Sequence, residues 1–132
     1  MRLRQIGSES TLEILALSYR MQRVLSKEYN ITPIKAAIIL LLGSFATKSR
    51  SEEVAALSVP EILALLSYSK SNKMNLYYAA QELCGDSPYL RKEKRGRINY
   101  YSLTAKGVAL IRDCVEKAKV YRFEVSQIQV AA

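Results

Sequence analysis

Residues 58–107 read SVPEILALLSYSKSNKMNLYYAAQELCGDSPYLRKEKRGRINYYSLTAKG, and the punctuation of this stretch decides the fold. Ser58-Val59-Pro60-Glu61 is a capping box, in which the Ser58 hydroxyl and the Glu61 carboxylate each satisfy an amide of the first turn and proline has no amide to satisfy. The short helix it starts has Ile62, Leu63, Leu65 and Leu66 for a buried side. Ser67-Tyr68-Ser69 leaves room only for a tight connection, after which Ser69 caps a second helix carrying Met74, Leu76, Tyr77, Ala80 and Leu83. That helix stops near the breakers Gly85-Asp86-Ser87-Pro88. The period then changes to that of a hairpin, Leu90-Arg91-Lys92-Glu93-Lys94, a turn at Arg95-Gly96-Arg97, and Ile98-Asn99-Tyr100-Tyr101-Ser102-Leu103. Thr104 caps a closing helix whose stripe is Val108, Ile111, Val115 and Ala118.

Working outward, Ser10-Thr11-Leu12-Glu13 is a further capping box, and Ile14, Leu17, Met21 and Val24 recur behind it at helical spacing to about Glu28. Asn30 is the expected stop. Thr32 and Pro33 restart a helix as cap and first residue, and Ile34 to Phe45 is apolar on nearly every side, which marks this helix as the buried one. Thr47 to Glu52 reads as an exposed loop and Leu57 as a short strand. The closing helix should end past Tyr121, and the tail to Ala132 carries no pattern that assigns it.

The chain has 132 residues and a formal net charge of +8 with a pI near 9.6, which points to a polyanionic partner, nucleic acid ahead of an acidic membrane surface. Its longest apolar run, Ala36 to Leu42, falls far short of the ~20 residues that cross a bilayer. The N-terminus lacks the apolar core of a signal peptide, so a cytoplasmic protein is expected. Catalysis has little to work with: histidine is absent, Cys84 and Cys114 have neither metal-site spacing nor a candidate base, and the acidic residues do not cluster. Neither an enzyme nor a cofactor or metal is expected.

The order of short helix, three-residue turn, second helix opening with Ser69-Lys70-Ser71-Asn72, basic hairpin and closing Tyr101-Ser102-Leu103-Thr104-Ala105-Lys106-Gly107 resembles a winged helix-turn-helix. The ending is especially similar to the MarR group of regulators, over roughly residues 30–110 and most specifically Gly96 to Gly107. The resemblance implies a mainly α fold with a small β-hairpin wing, in one domain spanning 1–132, with helix-turn-helix and wing at 57–103. It implies flanking dimerisation helices at 11–28 and 104–123. It also implies a homodimer on double-stranded DNA, and leaves open a small-molecule effector or an oxidant-sensing thiol. Lys73 stands where the family often has a buried aliphatic, so Met74 is expected to take that buried place in a shifted register. Some plasmid-partition proteins share a similar wing and final helix, so a centromere-binding or DNA-organising role stands beside transcription regulation. A winged-helix module that binds protein is a third reading.

For readout in the major groove the second helix offers Ser69, Lys70, Ser71, Asn72, Lys73, Asn75 and Tyr77, side chains of modest length with donors and acceptors for base edges. An ordinary solvated helix face has the same composition, and the hairpin shifts the balance. Arg91, Lys92, Lys94, Arg95 and Arg97 crowd five cations into seven residues against Glu93 alone, an arrangement that phosphates relieve. From Lys70 to Lys106 eight basic residues face three acidic ones, more than half of the chain's excess charge. Tyrosines 77, 78, 89, 100 and 101 suggest a base-stacking platform for single strands, but Tyr101 and Leu103 alternate as an inward strand face does. Tyr78 is spaced to pack with Met74, which predicts core tyrosines with hydroxyls at the rim, and Tyr100 lies on the opposite strand face.

Overall fold

A computed structural model describes the backbone of residues 9–48, 56–86 and 88–130, and the side chains of 15–45, 56–86 and 88–118. The first capping box lies outside the described side chains, and residues 49–52 of the expected loop lie outside the described backbone. Helix α1 spans Glu9–Tyr29 and α2 Pro33–Lys48, so Thr47 and Lys48 belong to a helix where a loop was expected. Ala36, Ile38, Ile39 and Leu42 of α2 form the centre of the core. Between the two helices Asn30 takes the left-handed conformation (φ 55°), and the Ile31 amide donates back to the Leu25 carbonyl at 3.0 Å, closing α1 at the residue that the sequence marks.

The central part follows as β1 (Leu57–Ser58), α3 (Val59–Leu65), a 3-10 turn at Lys70–Asn72, α4 (Lys73–Leu83), β2 (Leu90–Arg95), β3 (Ile98–Leu103) and α5 (Ala105–Val130). The capping box that starts α3 is complete: the Glu61 amide donates to the Ser58 hydroxyl, and the Ser58 amide donates to the Glu61 carboxylate at 3.1 Å. Of its expected buried side, Ile62 is buried and Leu63 and Leu66 pack partly against the core, but Leu65 is exposed. A seven-residue helix touches the core on one narrow face only, and four leucines and isoleucines cannot all share it.

β3 lies at the centre of a three-stranded antiparallel sheet of order β1-β3-β2. β2 opposes β3 from Leu90↔Leu103 to Arg95↔Ile98, so the hairpin closes through Gly96 and Arg97 alone. Only glycine fits the first of these positions without strain, because its φ is +65°, the pattern of a type II′ turn. The expected three-residue turn is thus one residue shorter, and β2 runs one residue further.

The closing Leu103-Thr104-Ala105-Lys106-Gly107 locks the base of this hairpin to α5. Thr104 accepts from the Gly107 amide at 3.1 Å as a helix cap while its hydroxyl donates to the Pro88 carbonyl at 2.7 Å, and its own amide donates to Tyr89 at 3.0 Å. A side chain at position 107 would run into that Tyr89 carbonyl, which is why glycine stands there. Lys106 lies 4.8 Å from the Tyr89 ring centre. α5 then continues through the tail, to Val130. It packs back on α1, where the Cys114 thiol donates to the Met21 carbonyl at 3.3 Å and Lys117 meets Glu28 at 2.5 Å, Asp113 at 3.1 Å and the Tyr29 ring.

Candidate nucleic-acid interface

The turn before α4 is built by backbone alone. Ser67 adopts φ +56°, its amide donates to Ala64, and the Tyr68 amide donates to the Leu63 carbonyl at 3.1 Å, the paired bonds of a Schellman motif. Ser69 follows in extended conformation, but its hydroxyl caps no backbone amide. It bonds instead to the Ser71 hydroxyl (2.7 Å) and accepts from the Asn72 amide group (3.3 Å). The expected serine-capped α-helix therefore opens as a 3-10 turn, and Ser69, Ser71 and Asn72 hold one another at its surface. Lys70, Ser71 and Lys73 are exposed and Asn72 is half-buried.

α4 buries Leu76, Ala79, Ala80 and Leu83. Met74, expected inside, is 55% exposed and points outward, and Tyr78, expected to join it in the core, is 57% exposed. The helix has only eleven residues, and small Ala79 and Ala80 bring its backbone close to α2 and α3; once they define the inner side, positions 74 and 78 fall opposite. Tyr77 is also exposed, edge-on to Tyr78 with ring centres 5.8 Å apart. Asn75 leans toward the start of α2, lining with Thr32, Pro33 and Tyr78 a shallow groove of about 460 Å³ that the Lys35–Glu82 ion pair bridges.

Strand alternation sorts the wing cations onto two faces. Lys92 and Lys94 share a face with Leu90, Tyr101 and Leu103, and the Lys92 ammonium donates to the Gln81 side-chain oxygen of α4 at 3.3 Å. Gln81 in turn donates to the Tyr101 hydroxyl at 2.8 Å, so one glutamine ties α4 to both strands of the hairpin. The sequence reading missed Gln81. Its only signal is an uncharged amide among apolar neighbours, which many surface helices share.

Arg91, Glu93 and Arg95 share the other face. Arg95 bonds to Glu93 at 3.2 Å and lies 5.0 Å from the Tyr100 ring centre, so its charge is partly met within the hairpin. All five wing cations are exposed, and among the described residues no carboxylate pairs with Arg91, Lys92, Lys94 or Arg97. Burial pushes the Tyr101 hydroxyl above its usual pKa, helped by Cys84 and Tyr77 nearby and opposed by the Gln81 bond. Burial also raises both thiols, Cys84 against the pull of Lys92 and Cys114 to about 11, and both are free cysteines. Neither has the lowered pKa that makes a thiol reactive toward oxidants at neutral pH.

Among the described residues no three histidine, cysteine or acidic side chains gather as a metal site would require, and no helix is long and apolar enough to cross a membrane.

No protein-family model matches the chain, and no curated protein matches it at a significant level. Solved structures do. The transcriptional regulator Tm0710 of Thermotoga maritima superposes with a TM-score of 0.63 at 18% identity, over 95% of this chain and 81% of that one. MepR, a transcription regulator of the Staphylococcus aureus multidrug efflux pump MepA, superposes with 0.59 at 15% identity, over 91% and 84%. A MarR family protein of Bacillus stearothermophilus gives 0.54 at 17% identity, over 95% and 81%. The fold is the MarR-like winged helix-turn-helix, mainly α with a small antiparallel wing.

Proposed function

We propose that this chain is a transcription regulator that binds double-stranded DNA sequence-specifically as a homodimer, with α4 in the major groove and the wing on the phosphate backbone. The observation that carries the reading is the junction at Gln81. It sets the Lys92 and Lys94 face of the wing against the outward side of α4, whose start displays Lys70, Ser71, Asn72, Lys73 and Asn75. A polyanion lying along α4 meets cations at both ends of the helix. Tm0710 and MepR share the fold and are transcription regulators by name, which supports the same class here.

In this reading Lys92, Lys94, Arg91 and Arg97 hold phosphates, Arg95 contributes less because Glu93 meets it, and Ser69 positions Ser71 and Asn72 for the groove. α1 and α5 pair with their counterparts across a two-fold axis. Leu15 and Tyr19 of α1, 61% and 64% exposed, supply apolar surface for that contact. Two α4 helices then reach half-sites about one helical turn, roughly 34 Å, apart.

Selection from random duplex DNA followed by footprinting tests the reading. The expected result is one inverted repeat, bound by a dimer with a log-log salt slope of about −5 to −7, three or four phosphates per protomer. Failure to bind any duplex at low salt overturns it.

A further inference from the structure

The outward side of α4 carries an apolar pair, Met74 and Tyr78, before it reaches Gln81 and the wing. At about 100° per residue, Met74 and Tyr78 lie within about 40° of each other, opposite the buried Leu76, Ala79, Ala80 and Leu83. Asn75 and Glu82 line the groove against α2 with one edge of Tyr78, and Tyr77 stands edge-on to Tyr78. Met74 and Tyr78 are each more than half exposed, on a helix whose start carries Lys70 and Lys73 and whose far end meets Lys92. An apolar crest with cations at both ends fits a surface that is anionic at its edges and offers apolar groups between them. In duplex DNA the apolar group displayed in the major groove is the thymine 5-methyl, between two phosphate rows.

We propose that Met74 and Tyr78 read thymine methyl groups, so that the preferred site holds thymines opposite the middle of α4 and sequence choice rests on these two side chains as well as on the polar helix start. The inference rests on the DNA reading above. It shifts part of the specificity from hydrogen bonding to apolar contact: the Met74 thioether chain and the edge of the Tyr78 ring cover methyls that cytosine and uracil lack.

The test uses duplexes selected by the full chain from a random pool, resynthesised with deoxyuridine in place of thymidine, one strand at a time, and titrated at one fixed salt concentration. Each contacted methyl that is removed should weaken binding about fourfold, the worth of one buried methyl-sized group. In the doubly substituted Met74→Ser, Tyr78→Ser chain the ratio of thymine to uracil affinity should fall toward one. Both residues are exposed, and thermal melting of the variant checks that the fold is kept. Equal affinity of the unaltered chain for thymine and uracil duplexes, with sequence-specific binding retained, overturns the inference and leaves the regulator reading standing. Selected sites without thymine do the same. No binding to any duplex overturns both, and directs attention to an acidic protein as the occupant of the crest.

Discussion

Lys117 and Lys94 are both lysines on the surface of a basic protein, and their surroundings differ in kind. Lys117, in the α1–α5 pair, is held by Glu28, Asp113 and the Tyr29 ring, and the two carboxylate bonds raise its pKa. Lys94 stands on the hairpin with no carboxylate partner among the described residues, as do Arg91 and Arg97. The charge of Lys117 is matched within the fold. Apart from Arg95, which meets Glu93, the hairpin cations have no carboxylate partner among the described residues, and a polyanion outside the protomer would relieve their repulsion. A net charge of +8 is therefore two quantities, and only the second speaks of a partner.

The comparison is broken most directly by exchanging the two. Replacing Arg91, Lys94 and Arg97 together by Ala should weaken duplex binding by several kcal/mol per dimer, at about 1 kcal/mol per lost phosphate contact, and flatten the salt slope by about 5. The melting temperature should hold or rise. Lys117→Met should do the reverse, lowering the melting temperature and leaving the salt slope as it was. Titrations across a salt series, paired with thermal melts, decide whether the division holds.

A smaller effect sharpens the description of the helix pair. Cys114 is buried between α1 and α5 and its pKa is raised from 9.0 to about 11 by burial, with Asp113 and Glu28 adding to the shift and Lys117 opposing it. The folded state thus holds the thiol proton more tightly than the unfolded chain does. The resulting stability is full below pH 9 and is lost as pH rises toward 11, about 2 to 3 kcal/mol for a shift of this size. Denaturant unfolding from pH 8 to 11 should show that loss in the native chain, and a shallower one in Cys114→Ala. Equal slopes would place the thiol in contact with water. DNA binding near neutral pH should be indifferent to the change, since the site lies elsewhere.

The smallest effect concerns the turn that aims α4. Ser67 holds φ +56° without the freedom of glycine, so Ser67→Gly should stabilise the chain by up to about 1 kcal/mol in chemical unfolding while leaving both salt slope and site preference unchanged. A change in site preference would mean that the turn, as well as the helix surface, sets the reading geometry.

Much of this architecture is legible from local chemistry. A capping box satisfies amides within four residues, a two-residue turn needs glycine at a positive φ, and a threonine three residues before a glycine can cap the helix it opens. Ser58 with Glu61, Gly96, and Thr104 with Gly107 carry those devices, and each appears where the pattern places it. The exposure of Lys70, Lys73 and the wing cations is legible too, since burying an unpaired charge is costly. The inner and outer sides of α4 are not. Its sequence has apolar residues all round, Met74, Leu76, Tyr77, Tyr78, Ala79, Ala80 and Leu83, and periodicity alone admits more than one rotation about the axis.

The sequence by itself determined the order of elements, the helix caps at Ser58 and Thr104 and the excess of positive charge in the hairpin, because each depends on neighbours along the chain. Tertiary structure alone decided that Met74 and Tyr78 face outward, that Gln81 joins α4 to the wing and that Lys117 is matched by Glu28. Those outcomes depend on which surfaces close packing brings together across 20 to 90 residues, as from Gln81 to Tyr101 and from Cys114 to Met21. Contacts at that range are selected by the fit of the whole core, and no short window of sequence contains both partners.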